Sequence, residues 1–213
     1  GARPIINMLL PVILEHRLGD VRLPVGSIVF GTTNLATDGV GDNIKAHTVN
    51  RVTAVTVRKP SAEEWLAWAV NNDIDPVVMA WVNQFPQAME SYLDGNQEGN
   101  PYIFNPKKPQ TAFVSPRSLE TASNIVRTRK HNDPDSVIAA LTGAIGESGA
   151  RDMQAYIEFA DQLPTWESTI KDPKHTKVPT SPGACAIVVF GAIARVDKTT
   201  IAPFMEYLER FDA

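Results

Sequence analysis

The sequence holds one cysteine, Cys185, in 213 residues. A single thiol excludes an intramolecular disulfide and any cysteine-rich zinc site, and it fits a reducing, cytoplasmic compartment. The four histidines, His16, His47, His131 and His175, lie far apart and lack metal-ligand spacing. No Ser/His/Asp or Cys/His arrangement is visible. No apolar run reaches the roughly 20 residues that a membrane-spanning helix requires; the best, GACAIVVFGAIA at 183–194, follows Pro182 and reads as a buried helix. Positive charge is scarce as well, with 20 lysines and arginines against 24 aspartates and glutamates and a net charge of -4. Nucleic acid or an anionic membrane would have to meet a local patch, and neither is indicated. The one dense basic run, RTRKH at 127–131, falls where a helix ends, and cations there complement the helix dipole. GxxxxGK[ST] is absent, which excludes a Walker-type phosphate loop from these residues. The N-terminus lacks the basic, apolar and small-residue order of a signal peptide.

What the sequence does have is 43% hydrophobic residues, enough for a sizeable core. It begins with Gly and enters an amphipathic helical pattern at once, with Ile5, Ile6, Leu9, Leu10, Ile13 and Leu14 at helical spacing over residues 4–17. So thin an edge leads us to expect chain upstream of Gly1. GDVRLPVG reads as a turn or short hairpin, and SIVFGTT at 27–33 as a strand buried on both faces. A short helix at 43–51 and a β-branched strand, VTAVTV at 52–57, follow. Two short strands cannot form an independently stable sheet, so this piece reads as the end of a larger α/β domain.

From residue 60 onward the pattern is helical, with about six or seven helices. SAEE at 61–64 is a capping box, and Asp75-Pro76, Ser115-Pro116, Asp133-Pro134 and Ser181-Pro182 each place proline first in a helix behind a capping residue. Residues 94–110 and 171–183 are loops rich in Gly, Asn and Pro. Trp65, Trp68, Trp81 and Trp166 sit at helical spacing and are expected in the core. The fold class is therefore an α/β remnant followed by all-α structure, divided at 1–58, 59–145 and 146–213.

Three positions are candidates for chemistry. The loop GTTNLATDGVGDN at 31–43 fails as a calcium site, because Ala36 offers no oxygen and Lys45 falls where a bidentate carboxylate belongs. Asn34, just past a strand end, either positions a water against a phosphate or bonds its own backbone in an Asx-turn. Arg117 falls in the first turn of a helix, where the dipole disfavours a cation; either an anion joins it there or Glu120 pairs with it one turn on. Arg51 stands at the junction of a short helix and a strand.

In this order, and with the wording LPVGSIVFGTTNLATDGVGDN, NRVTAVTV, EEWLAWAVNNDIDPVVMAWV, SPRSLETAS and LTGAIGESGARDMQAYIEFADQLP, the chain resembles the C-terminal portion of an AAA+ ATPase of the MoxR-like branch found in bacteria and phages. The resemblance implies that Asn34 is sensor 1, holding the attacking water near the γ-phosphate. It implies that Arg51 is the arginine finger reaching the ATP of a neighbouring subunit, and that Arg117 is sensor 2 on the helical lid. It further implies ATP and Mg²⁺ as cofactors of the intact protein, a ring oligomer, in the first instance a hexamer, and a protein substrate to be remodelled. The chain departs from the pattern in lacking Walker A and Walker B, and Val52 follows Arg51 where the family often has an aromatic. The fragment alone is therefore expected to be inactive and to bind no cofactor tightly. The competing expectation is a non-catalytic helical protein-binding module.

Overall fold

The chain divides into two compact units, Gly1–Arg58 and Lys59–Ala213. The computed structural model describes residues 11–32, 52–108 and 110–211. Asn34, Arg51, the glycine-rich loop from residue 33 on and the 43–51 helix lie outside the described residues.

In the first unit, residues 11–15 are helical, and the helix stops earlier than its periodicity predicts. His16 turns the chain with φ 51°, after which Arg17–Leu18 (β1) pairs antiparallel with Val21–Arg22 (β2), Arg17 opposite Arg22 and Leu18 opposite Val21. Gly19 occupies the tip at φ 58°, a backbone region that glycine enters without a Cβ clash. The expected hairpin is thus present, begun at Arg17. The two expected longer strands are not. Residues 27–32 and 53–57 belong to no helix or strand, and Ile28, Phe30, Val55 and Val57 are 88%, 84%, 76% and 85% exposed. Their β-branched and aromatic side chains favour extended backbone, but a strand needs a neighbour for its hydrogen bonds and an apolar layer over it. Among the described residues neither run has a paired strand.

Among its described residues the second unit contains seven α-helices: α1 (Ala62–Ala69), α2 (Pro76–Gln84), α3 (Pro116–Thr128), α4 (Pro134–Asp161), α5 (Trp166–Lys171), α6 (Pro182–Ile193) and α7 (Ile201–Leu208). The starts read from the sequence carry their caps. Ser61 Oγ accepts from Glu64 N at 3.2 Å while Ser61 N donates to Glu64 Oε2 at 2.9 Å. Asp75 accepts from Val77 N at 2.9 Å, Ser115 from Ser118 N at 3.1 Å, Asp133 from Ser136 N at 2.9 Å and Ser181 from Ala184 N at 3.2 Å. Each bond satisfies an amide that the helix itself leaves without a partner.

α2 is buried on every side from Val77 through Val82, because α1, α3, α4 and α6 all pack against it. Trp81 lies edge-on to Tyr102 with ring centroids 5.6 Å apart, and Phe85 joins Trp81, Tyr102 and Tyr156. The core does not break at residue 145: Met153, Tyr156 and Ile187 belong to the same cluster as Trp81 and Leu141. A smaller satellite gathers Ala192, Phe204 and Tyr207 with Trp166, Ile170, Val178 and Val188. Of the tryptophans, Trp65 and Trp81 are buried and Trp166 packs on the satellite, whereas Trp68 is 44% exposed. α6 is buried on one side only, since Val189 and Ile193 face solvent at 42% and 48%. Its apolar sequence marks burial without saying how many neighbours are available.

α4 is interrupted at Gly146, whose φ of 80° and ψ of 165° are not helical. A Cβ at this position would stand 2.8 Å from the carbonyl oxygen of Ala112, so the break admits the backbone of the 112–113 segment.

Candidate functional site

α3 begins with a tight polar knot. Val114 N donates to Tyr102 O at 2.7 Å, fixing the approach, and Ser115 then caps the helix. Ser118 returns the bond, accepting from Ser115 N at 2.8 Å and donating to Phe113 O at 3.0 Å. Pro116 supplies a preset φ where no amide is needed. Leu119, Ala122, Ser123 and Val126 form the buried face, which leaves Arg117 on the outer side of the first turn. No ion pair of Arg117 occurs among the described residues, and the pairing with Glu120 is not formed. An exposed guanidinium thus stands at the positive end of a helix of 13 residues, where an anion would be stabilised by charge and dipole together.

Two arginines of the RTRKH run at the far end of α3 have structural partners. Arg127 bonds Asp73, with a 3.2 Å contact between Nη1 and Oδ2 and a further bond to the Asp73 carbonyl. Arg129 reaches Asp161 at 2.8 Å and the Val126 carbonyl at 2.9 Å, closing the end of α3 against α4. RTRKH is therefore an end-of-helix anchor.

Lys59 is a feature that the sequence reading missed. Its Nζ donates to the carbonyl oxygens of Ala88 at 3.1 Å, Glu90 at 3.0 Å and Val114 at 3.4 Å. Burial pushes the ammonium down to about 8, against the opposing pull of the Asp94 and Glu90 carboxylates. Its only sequence signal is the Lys-Pro pair before a capping box, because the carbonyls come from segments far along the chain.

Asp75 is also perturbed. Burial raises its carboxyl above the ordinary range, opposed by the Val77 amide and by Arg129, Arg127 and Arg195. Tyr102 donates to Asp152 Oδ2 at 2.7 Å, and burial with that bond raises its phenol. Burial likewise raises the Cys185 thiol, which leaves it a poor nucleophile at neutral pH.

No group of three or more His, Cys, Asp or Glu able to hold a metal occurs among the described residues, nor does any helix among them have the length and apolarity to cross a membrane. An open apolar groove of about 420 Å³ lies between α1, the end of α2 and α6, lined by Leu66, Val70, Pro86 and Phe190, with Glu63 and Asn83 at its polar edge. Of the sequence-derived site residues, Arg117 is placed by the structure, whereas Asn34 and Arg51 lie outside the described residues. Comparison with protein-family models, with curated proteins and with solved structures gives no match.

Proposed function

We propose that residues 1–58 and 59–145 are the sensor-bearing end of the α/β core and the helical lid of a MoxR-like AAA+ ATPase, a cytoplasmic ring motor that couples ATP hydrolysis to remodelling of a protein partner. The observation that supports this reading is Arg117, an exposed cation in the first turn of α3 with no ion-pair partner among the described residues. A solvated cation is destabilised there by a few tenths of a kcal/mol or more, and a phosphate would reverse the sign. In this reading Arg117 meets the nucleotide phosphates, Asn34 orients the attacking water and Arg51 reaches the nucleotide of the adjacent subunit. The exposed apolar runs at 27–30 and 53–57 fit the same reading, as strands whose neighbours lie elsewhere in the assembly. ATP with Mg²⁺ supplies the phosphoryl bond that is broken; the phosphate loop and the catalytic acid are not among these residues.

The test is the encoding gene. A GxxxxGK[ST] motif and an apolar strand ending in Asp-Glu upstream of the Gly1 codon, with ATP turnover by the full product, would support the motor; a start codon immediately before Gly1 would refute it. A non-catalytic helical binding module is the second reading, favoured by the apolar groove between α1 and α6 and by the exposed Val189 and Ile193 on α6.

A further inference from the structure

Lys59 is the first residue of the helical unit and stands two places before Ser61, the cap of α1. Its three carbonyl acceptors come from the turn at Pro86–Met89, from Glu90 just beyond it, and from Val114, the residue before the cap of α3. One ammonium, with three donors and no acceptor, therefore joins the entrances of two helices that are distant in sequence. The Val114 amide is already bound to Tyr102 O, so Val114 is held at both its N–H and its C=O. We propose that Lys59 is a latch: bound to the 88–90 turn and to Val114, it fixes where α3 begins relative to α1 and so sets the position of the turn carrying Arg117. The latch stands independently of the nucleotide reading, because the three carbonyls that define it all belong to the helical unit.

The latch is proton-sensitive, and the sign follows from linkage. When closed, Lys59 is depressed to about 8; when swung into solvent it returns to its ordinary value of 10.5. The closed form binds the proton less tightly, so raising the pH favours closure and lowering it favours opening; above about 8 the closed side chain is a neutral amine that keeps two N–H donors for the carbonyls. The groups that face it act in the opposite sense: the carboxylates of Asp94, in the Tyr92–Asp94 turn, and of Glu90 favour the charged form. Glu64, in the first turn of α1, accepts the capping bond from Ser61 N.

The test is amide hydrogen exchange of the full chain, corrected for intrinsic rates, with the ¹³Cε shift of Lys59 followed in the same samples. In the wild type, protection at Ser118 and Leu119 is expected to rise on the order of tenfold between pH 7 and 9. Lys59→Met keeps the aliphatic stem and removes the donors; protection there should fall about tenfold at pH 9 and lose its pH dependence. Lys59→Arg should restore part of the protection without a midpoint near 8. In all three proteins the amides of α6 should be unchanged. A flat or falling wild-type profile at α3, or a loss in Lys59→Met spread evenly through α6, would overturn the latch. Should Lys59→Met fail to fold, the wild-type profile and the arginine variant still decide the matter.

Discussion

Replacing Gly146 by alanine tests the break in α4. Two influences act with opposite sign. In an unbroken helix alanine is more stable than glycine by about 1 kcal/mol, so a break of no importance would make Gly146→Ala stabilising. In the structure the residue holds φ 80° and ψ 165°, a region essentially reserved for glycine, and a Cβ would lie 2.8 Å from Ala112 O. The dihedral strain alone is about 1–3 kcal/mol. The contact adds to it, since the obstacle is backbone that is anchored next to Phe113, whose carbonyl accepts from Ser118. A loss of about 2–4 kcal/mol is expected, or about 4–16 °C in Tm for a unit of this size. The assay is urea and thermal denaturation of the full chain, with Gly143→Ala as control. Gly143 is an exposed helical glycine with open space around it, and its alanine variant should gain about 0.5–1 kcal/mol. If Gly146→Ala matched Gly143→Ala in sign, the argument that the 112–113 segment dictates the break would be refuted.

Asp75→Asn retains an oxygen for the Val77 amide and removes a charge that burial disfavours. Because the folded-state value is raised, Asp75 favours folding in acid and that contribution disappears as pH rises through the raised value; the asparagine variant should lose this dependence and be no less stable at pH 7, as read by Tm against pH. Tyr102→Phe removes the 2.7 Å bond to Asp152 while keeping the ring against Trp81, and should lower stability by about 1–2 kcal/mol in denaturant titration. If the intact protein is the proposed motor, Arg51→Ala should abolish ATP turnover while leaving nucleotide binding largely unchanged; surviving turnover would remove the finger assignment.

Helix starts were legible because a cap is a local event. Ser61 with Glu64, or Asp133 with Ser136, needs nothing beyond three residues of spacing. What resisted reading was whatever depended on a distant partner. SIVF and VTAVTV have the composition of strands, but whether they pair is decided by other segments. Gly146 sits in ALTGAIGESGARD, an unbroken helical pattern, and only the arrival of Ala112 accounts for its conformation. Lys59 carries no local signal for the carbonyls of Ala88, Glu90 and Val114 that converge on it, because they come from distant segments. Arg117 was legible in position, since the cap fixes its place in the turn, and its lack of a carboxylate partner emerged only from the side-chain geometry.

The satellite around Phe204 and Tyr207 bears on how the protein behaves when partly unfolded. Tyr207 Oη donates to Lys177 O at 2.8 Å, and Arg210 Nη1 to Pro173 O and Thr176 O at 2.6 and 2.7 Å, so α7 is tied to the loop before α6. On its inner side α7 covers Val188 and Ala192 of α6, a helix that already shows Val189 and Ile193 to solvent. Release of the last turns by fraying or proteolytic clipping would bare the flank of α6 at Val188 and Ala192 while its other side stayed packed on α2. That flank would adjoin the exposed Val189 and Ile193, so a nicked sample is expected to self-associate more readily than the intact chain, as read by light scattering.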